Sequence, residues 1–411
     1  MKPVLFYGAG RFSEELLRQL PGAEKSIAAF VDRDESKERW LGRPVLRPVA
    51  LRLPEYESFP VVVSLKNNRA DVAYELQTRF GLPSERVLSL EKWAAQALED
   101  PAVTLRPEMA RVDVSTCCQL DCTGCYMRLN PDAPVGSGFL SLEHFCSFLE
   151  ENPFLKRVEM SNSGEPFLNP KLAQMLRFAH ERGVELSFSN GANFNTVSDE
   201  VLEELVRCQV PLITVSLDGA SQEVYSRYRR RGDYEAVIRN IRKLNQLKER
   251  YGSSLPRLIW QFILMPEDEE DVEAAIRTAR ELDMGMYFKL DYRSGFQPKD
   301  PERLTELTGL HFLTQKDYNS GQREFNGQYC SQLFYSPQIN WDGRLLGCCT
   351  LYKRTWEHNV FEEGFLASIN HSDYRTTLSA LLRGEPACLQ TPCMSCTTWK
   401  KMHEKGLCLT L

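Results

Sequence analysis

The stretch that decides the fold is RVDVSTCCQLDCTGC, residues 111 to 125, in which a short apolar strand leads into four closely spaced cysteines. Cys118, Cys122 and Cys125 have the spacing C-x3-C-x2-C. The chain has 13 cysteines in 411 residues, and in a reducing compartment such spacing favours metal ligation or redox chemistry over disulfides. Three thiolates on one loop can hold three irons of a [4Fe-4S] cluster and leave the fourth iron open. The spacing alone is also compatible with zinc.

The composition is that of an ordinary globular chain with large cores, since 42% of its residues are hydrophobic and 26% are charged. The formal net charge of -6 gives no nucleic-acid footprint. No run approaches the roughly 18 apolar residues of a membrane-spanning helix, and the segment MKPVLFYGAGRF lacks the apolar core of a secretory signal. We therefore expect a cytoplasmic protein with no nucleic-acid or membrane partner.

Residues 1–96 predict a Rossmann-like α/β domain. A strand ending at Tyr7 is followed by a glycine turn with Gly8 and Gly10, a helix, and a second strand that ends at Asp32. In a nucleotide-binding unit of this order the helix N-terminus faces phosphate and the acidic residue holds a ribose hydroxyl. Ser13 replaces the third glycine of the fingerprint, so the same residues also fit a tight turn without a nucleotide.

This segment resembles the small Rossmann-like domains attached to sugar-modifying and polysaccharide-biosynthesis enzymes. The resemblance is carried by YGAG at 7–10, AAFVDRDESK at 28–37 and GRPVL at 42–46. It implies a sugar or a sugar nucleotide as the ligand or substrate.

After a linker at 97–108, residues 109–300 alternate strand and helix. The strand-like runs are RVDVS, RVEMSNS, VELSFSN, LITVSLD, RLIWQFILM and MGMYFKLD. Six βα repeats predict parallel strands with helices outside, and hence a partial (β/α)6 TIM barrel. In such a barrel the chemistry lies at the C-terminal ends of the strands.

The cysteine spacing resembles that of the radical S-adenosylmethionine (radical SAM) superfamily, and the strand ends that follow resemble its motifs in the same order. The SGEP run at 163–166 resembles the GGE-type motif at the methionine amino group, and SFSNG at 187–191 resembles the turn near the ribose. The SLDG run at 216–219 and the arginine-rich stretch after it complete the pattern. The cofactor-binding residues that the resemblance implies are Tyr126, Ser163, Gly164, Glu165, Ser189, Asn190, Ser216, Asp218 and Arg229.

The resemblance also implies the chemistry. Cys118, Cys122 and Cys125 would ligate a [4Fe-4S] cluster whose open iron binds S-adenosylmethionine. Reductive cleavage of that molecule gives a 5′-deoxyadenosyl radical, which abstracts a hydrogen atom from the substrate. The expected electron donor is a flavodoxin or a ferredoxin. If the protein is not an enzyme, the alternative is a non-catalytic iron-sulfur scaffold or sensor.

Residues 301–411 predict a small third domain that is rich in cysteine. A hairpin with its turn at Asp342-Gly343 is expected within INWDGRLLGC. The segment resembles the twitch or SPASM domains of radical SAM enzymes, which implies an auxiliary [4Fe-4S] cluster. Its expected ligands are Cys330, Cys348, Cys393 and Cys396, and zinc on the same four thiolates is the alternative.

Four residues are candidates for the reaction with the substrate. Cys349 could return a hydrogen atom to a substrate radical, as an epimerase requires, or it could be a packed thiol. Lys289, Asp291 and Tyr292 lie at the end of the last barrel strand and could supply a base or substrate contacts, although residues that only form ion pairs at the rim of the barrel would give the same pattern. We expect oxidation or epimerisation of a carbohydrate or sugar nucleotide, and peptide or protein modification is the alternative.

Overall fold

The computed structural model describes residues 1–133, 135–265, 269–290, 298–314, 330–349, 355–385 and 392–411. The chain forms two compact units. The N-terminal unit contains Met1–Glu108, Gly327–Ser336 and Phe365–Leu411, and the barrel unit contains Met109–Asn326 and Pro337–Gly364. This division differs from the expected domains, because the segment 301–411 is shared between the two units instead of forming a third.

A six-stranded sheet forms the centre of the N-terminal unit. Its strands are β1 (Val4–Tyr7), β2 (Ile27–Val31), β3 (Arg39–Trp40), β4 (Arg43–Leu46), β5 (Val61–Val63) and β6 (Val87–Leu88). They lie in the order β3-β4-β2-β1-β5-β6, and all pairs except β3 with β4 are parallel. The parallel strands therefore have the order of a doubly wound Rossmann sheet. Buried side chains such as Leu5, Val31 and Val61 form its core.

Helices α1 (Arg11–Gln19), α2 (Arg69–Thr78) and α3 (Leu90–Glu99) complete this part of the unit. The segment 97–108, which we expected to be a linker, packs on the unit. Thr104 donates its N–H to the carbonyl of Pro21, and Arg106 donates its N–H to Gln19. These bonds make the segment part of the N-terminal unit.

The six barrel strands follow one another as the sequence predicts. They are β7 (Met109–Val112), β8 (Arg157–Glu159), β9 (Glu185–Ala192), β10 (Leu212–Ser216), β11 (Arg257–Leu264) and β12 (Met284–Leu290). Each strand is parallel to the next. The helices of this region are α4 (Tyr126–Leu129), α5 (Leu142–Glu151), α6 (Leu172–Glu181), α7 (Asp199–Arg207), α8 (Gln222–Tyr228), α9 (Tyr234–Tyr251), α10 (Val272–Glu281) and α11 (Pro301–Thr308). The predicted partial barrel is confirmed.

Helix α9 shows why the sequence folds in this way. Asp233 caps its N-terminus by accepting the N–H of Ala236, and Gly252 ends it in the left-handed conformation. Val237, Ile241 and Leu244 recur at helical spacing and are fully buried. The apolar stripe is the buried face of the helix, which packs against α7 and α8, while charged residues such as Glu235, Arg239 and Arg242 are exposed.

A hairpin extends the barrel sheet at the free side of β7. Strand β13 (Gln338–Ile339) is parallel to β7, and β14 (Leu345–Gly347) is antiparallel to β13. Gly343 has a φ of +89° in the turn, as the Asp342-Gly343 pair predicts. The hairpin was expected in a separate domain, but its backbone hydrogen bonds to β7 place it in the barrel unit.

The remaining helices are α12 (Gln332–Tyr335), α13 (Val360–Glu363), α14 (Phe365–Asn370), α15 (Ser372–Arg383) and α16 (Thr397–Glu404). Helix α15 packs along α3 within the N-terminal unit. Arg375 donates to the carbonyls of Leu98 and Val103. In the part of the chain that the structure describes, no helix is both long enough and apolar enough to cross a membrane.

Candidate active site

The cysteine loop follows β7 and is held in place by the last residue of α8 and the chain just after it. Asp121 donates its N–H to the carbonyl of Arg230 at 3.0 Å, and Thr123 donates to Tyr228 at 3.1 Å. Cys122 is buried within the loop. Cys118, Cys122 and Cys125 form no disulfide with any cysteine that the structure describes. The arginine-rich stretch that resembles a superfamily motif is therefore the backbone support of the cysteine loop.

Gly164 brings the end of β8 against the same loop. Its φ is +64°, and an added Cβ would lie 2.6 Å from the carbonyl oxygen of Ser115 and 2.7 Å from that of Cys117. Glu165 donates its N–H to the carbonyl of Cys117 at 2.8 Å. A residue with a side chain at position 164 would clash with backbone, so the close approach of the turn requires glycine.

The carboxylate of Glu165 ties the ends of β8 and β9 together. It is 2% exposed and accepts the N–H of Asn193 at 2.7 Å and that of Phe167 at 3.3 Å. Burial raises its pKa to about 7, and these N–H groups and the charge of Arg229 oppose the shift. Its role in this structure is to hold the strand ends.

Arg229 connects the fourth strand end to the cysteine loop. Its Nε lies 2.5 Å from Oδ2 of Asp218, and its Nη1 lies 3.5 Å from Sγ of Cys122. Asp218 is fully buried and also accepts the N–H of Ile263 at 2.8 Å. Burial alone would lower the pKa of Arg229, but Asp218 and Cys122 raise it, so the guanidinium keeps its positive charge beside the sulfur.

Cys118 lies on the more open side of the loop. Nδ2 of Asn193 is 3.8 Å from its sulfur, and Gln119 donates to Oδ1 of Asn193 at 2.9 Å. Burial, then the charge of Glu165, then the neighbouring cysteines raise the pKa of Cys118 to about 12. Burial also raises the pKa of Cys122. A metal's positive charge would favour the thiolates of Cys118 and Cys122, and three cysteines on one loop are the donor set of an iron-sulfur cluster.

Glu159, which the sequence reasoning missed, fixes the predicted residues at the end of β9. Its carboxylate accepts the N–H of Ser189 at 2.9 Å and a hydrogen bond from the Ser189 hydroxyl, and it accepts the hydroxyl of Ser187 at 2.7 Å. Asn190 donates its side-chain amide to Asn162. Both the N–H and the hydroxyl of Ser189 are thus bound to a buried acid on the neighbouring strand.

Asp113 is a second residue that the sequence reasoning missed. It is fully buried just after β7, and its Oδ1 accepts the N–H of Ser163 at 2.8 Å. The hydroxyl of Ser163 in turn shares a hydrogen bond with the hydroxyl of Tyr126. Ser163 and Tyr126, both predicted as cofactor contacts, are therefore in contact with each other.

Ser216 ends β10 beneath the turn of β9. It is 6% exposed, and a Cβ added to Gly191 would lie 2.5 Å from its hydroxyl oxygen. The φ of Gly191 is +122°. The turn therefore needs glycine both for this backbone conformation and for the close approach to Ser216. All the predicted residues at strand ends β8, β9 and β10 thus converge on one end of the barrel.

Two of the four reaction candidates, Lys289 and Cys349, are described. The charge of Cys349 affects the pKa of both Lys289 and Tyr126. Burial lowers the pKa of Lys289, and Asp218 partly offsets this. Asp291 and Tyr292 lie outside the described residues.

The predicted nucleotide residues of the N-terminal unit meet at the end of its sheet. Gly8 has a φ of +118°, and an added Cβ would lie 2.6 Å from the carbonyl oxygen of Ser64. Gly10 is extended. The carboxylate of Asp32 accepts the N–H of Ala9 and the ammonium of Lys37 at 2.9 and 3.2 Å. Asp32 is thus engaged within the chain, and nucleotide binding stays a prediction.

The expected auxiliary ligands fall in both units. Cys330, Cys393 and Cys396 belong to the N-terminal unit, where the sulfurs of Cys330 and Met402 are 3.8 Å apart. Cys348 directly follows β14 in the barrel unit. Their joint ligation of a cluster stays a prediction.

The fold and the site define the class. Residues 112–279 match the model of the Radical SAM superfamily, and this domain spans β7 to α10 with the cysteine loop and the strand ends described above. This part of the chain belongs to the radical SAM superfamily, whose members use a [4Fe-4S] cluster and S-adenosylmethionine.

Two curated relatives are similar over part of the chain. One is the tungsten-containing aldehyde ferredoxin oxidoreductase cofactor-modifying protein of Pyrococcus furiosus, which is 25% identical over 61% of this chain and 73% of its own length. The other is the AdoMet-dependent heme synthase of Methanosarcina barkeri, which is 24% identical over 35% of this chain and 41% of its own length.

Among solved structures, Streptococcus suis SuiB bound to S-adenosylmethionine has a TM-score of 0.52 and 13% identity, over 81% of this chain and 82% of its own. SuiB bound to the precursor peptide SuiA has the same TM-score and identity, over 82% and 77%. At this identity the likeness concerns the fold.

Proposed function

We propose that the barrel unit is a radical SAM enzyme that oxidises or epimerises a carbohydrate or a sugar nucleotide. The observation that carries the proposal is the convergence of three strand ends on the cysteine loop, through the contacts of Gly164 with Cys117, of Asn193 with Cys118 and of Arg229 with Cys122. The cluster and S-adenosylmethionine, when bound, supply the one-electron chemistry that removes a substrate hydrogen atom.

Residues of the chain would bind and orient these groups. Cys118, Cys122 and Cys125 would hold three irons, and Arg229 would balance the negative charge on Cys122. Glu159 orients the turn after β9. Cys122 and Glu159 are buried, and Glu159 and Arg229 are hydrogen-bonded within the barrel unit, so these groups are already in position when the ligands arrive.

Lys289 and Cys349 would act on the substrate. Because burial favours the neutral amine of Lys289, it would accept a proton as the substrate is oxidised. In an epimerisation, the Cys349 thiol would instead return a hydrogen atom to the opposite face of the substrate carbon. One electron from the flavodoxin or ferredoxin proposed below, together with one proton, would then restore the thiol from the thiyl radical. The charge of Cys349 raises the pKa of Lys289, which supports the placement of the two residues at one site.

The carbohydrate substrate is supported by the N-terminal unit, whose strand order is that of a nucleotide-binding sheet. We further propose an auxiliary [4Fe-4S] cluster on Cys330, Cys348, Cys393 and Cys396, which would take the second electron in an oxidation, and a flavodoxin or ferredoxin as the reductant. A peptide is the second candidate substrate, since the fold is similar to that of SuiB, which was solved with a precursor peptide.

The test is an anaerobic assay. The protein is reconstituted with iron and sulfide, reduced with dithionite, and supplied with S-adenosylmethionine and either UDP- and GDP-sugars or peptides in deuterated buffer. We expect 5′-deoxyadenosine that increases with a sugar nucleotide. One deuterium in recovered substrate indicates epimerisation, and a product two hydrogens lighter indicates oxidation.

The controls separate the parts of the proposal. Absence of 5′-deoxyadenosine under every condition contradicts the reaction class, and stimulation by peptides alone contradicts the carbohydrate. Cys349→Ala should still form 5′-deoxyadenosine but incorporate no deuterium if the enzyme is an epimerase. Lys289→Met should slow an oxidation while retaining both clusters.

A further inference from the structure

The backbone that supports the cysteine loop carries two exposed arginines, Arg230 and Arg231. The carbonyl of Arg230 accepts the N–H of Asp121 at 3.0 Å, one residue before Cys122. Arg231 follows directly, so both charges are attached to the segment that contacts the loop. A cluster held by this loop would therefore lie close to the backbone that carries these two cations.

The two arginines differ from their neighbours in charge balance. Neither of them forms an ion pair within the part of the chain that the structure describes, whereas Arg227 pairs with Glu223 at 2.9 Å and Arg229 pairs with Asp218 at 2.5 Å. The whole chain has a formal net charge of -6. Two exposed cations without an acidic partner thus form a local positive surface on an acidic protein.

The backbone of Arg231 is strained. Its φ is +66°, in the left-handed region that is unfavourable for any residue with a side chain. The next residue is Gly232, where an added Cβ would lie 2.5 Å from the ring of Tyr225 and 2.9 Å from the carbonyl oxygen of Arg229. The turn would also be relaxed by a glycine at 231. Strain of this kind is concentrated at functional sites, and here it indicates a use for the arginine side chain.

An exposed apolar side chain follows the same loop. Leu129 is 55% exposed in α4, which begins directly after Cys125. Its neighbour Arg128 donates to the carboxylate of Asp121, the residue whose N–H is bonded to the carbonyl of Arg230. These contacts bring Leu129, Arg230 and Arg231 together around Asp121. We call these three residues the loop face.

We propose that the loop face is the docking surface for an acidic one-electron carrier protein, an inference that rests on the proposed function. The proposed reaction uses one electron for each S-adenosylmethionine cleaved. The carrier loses this electron and the cluster gains it, with no group transferred. Cations beside an apolar contact favour fast encounter with an acidic partner, and electron-transfer contacts are among the smallest specific interfaces. The diphosphate of a sugar nucleotide is the competing anion, and the test separates the two.

The test compares wild type with the double variant Arg230→Gln and Arg231→Gln, which keeps the backbone carbonyl that holds the loop. Oxidised flavodoxin and oxidised ferredoxin are the probes, and isothermal titration calorimetry at two salt concentrations measures their binding to the reconstituted protein. We expect the carrier that binds wild type more tightly to lose about 2- to 30-fold in affinity, as for two exposed charge pairs. Its binding should also depend less on salt than it does in wild type.

The double variant Arg277→Gln and Arg280→Gln is the matched control. It removes the same charge from two exposed residues of α10, a helix that packs on β12. It should bind the carrier as wild type does. Iron content is measured for every variant. Arg231→Gly, which suits the left-handed backbone, takes the place of the loop-face variant if the latter loses its cluster.

The outcomes are distinct when 5′-deoxyadenosine formation is also measured with dithionite and with the reduced carrier. If wild type forms none with dithionite, the proposed function fails. If it does, and neither carrier binds wild type or both double variants bind it equally well, the docking surface is overturned. Unchanged carrier affinity with a higher KM for the sugar nucleotide also overturns it, and would assign the two arginines to the substrate. A carrier-driven rate that falls with affinity relative to the dithionite-driven rate supports it.

Discussion

The guanidinium of Arg229 donates to the sulfur of Cys122 across 3.5 Å while its Nε is bonded to Asp218. One side chain thus joins the end of the fourth barrel strand to the cysteine loop. Hydrogen bonds and charges at a cluster sulfur are among the factors that set its reduction potential. The pair therefore connects the stability of the barrel with the properties of the metal centre.

Arg229→Gln should destabilise the cluster-free chain by about 3–5 kcal/mol, because it leaves the fully buried Asp218 without its partner. Denaturant unfolding measures the change. The double variant Asp218→Asn with Arg229→Gln should recover much of the loss. Arg207→Gln is the control, since Arg207 is 56% exposed in its pair with Glu204 and should cost about 0–1 kcal/mol. If Arg229→Gln and Arg207→Gln lowered the free energy of unfolding equally, the role of Arg229 would be contradicted.

Gly164→Ala should prevent cluster assembly. Its Cβ would lie within 2.7 Å of the backbone of the cysteine loop. Gly183 has a similar φ of +68°, with no described atom within 4 Å of its Cβ position, so Gly183→Ala should cost only about 1–2 kcal/mol of backbone strain. Iron per chain after reconstitution is the measurement. If Gly164→Ala bound as much iron per chain as wild type, the turn would be free to move and the prediction would be wrong.

The fold of the barrel was predictable because its signals are local. Each strand is a short apolar run, and the helices between them have capping residues such as Asp233 and apolar stripes. The cysteine loop was identified by its spacing, which zinc would also fit, and the strand-end residues by a resemblance in a fixed order. Their roles as cluster and cofactor ligands stay predictions.

The supporting residues were not predictable, because their meaning depends on contacts between strands. Glu159 and Asp113 are ordinary acids in the sequence, and only the register of the sheet places them beside Ser189 and Ser163. In the same way, the pairing of β13 with β7 joins residues more than 200 positions apart, and no local pattern reports such a pairing.

Cys118→Ala should lose the first cluster, whereas Cys117→Ala should keep it. The two residues are adjacent, but the Cys117 sulfur is 3.3 Å from the hydroxyl of Ser137 and 3.8 Å from the carbonyl of Gly138. The Cys117 sulfur is therefore held by contacts with Ser137 and Gly138. The electron paramagnetic resonance spectrum of the reduced protein, with and without S-adenosylmethionine, distinguishes the two variants. Loss of the S-adenosylmethionine-responsive signal in Cys117→Ala would contradict the assignment of ligands.

The stability of the cluster-free chain should depend on pH through Asp113. Burial raises its pKa from the ordinary 3.8 to about 7, against the opposing effects of Ser163, Gln338 and Arg111. Because the folded chain binds this proton more tightly than the unfolded chain, the contribution to stability is complete below about pH 4 and is lost as the pH rises through about 7. The loss is at most about 1.4 kcal/mol per pH unit.

Asp113→Asn removes this titration, so the variant should gain stability relative to wild type as the pH rises from about 4 to about 7. Urea unfolding of both proteins at several pH values measures the difference. Glu165 has a pKa that is also raised to about 7, but it is present in both proteins and largely cancels. A difference that does not change with pH would mean that Asp113 is ionised throughout, and that a positive group of the chain already balances it.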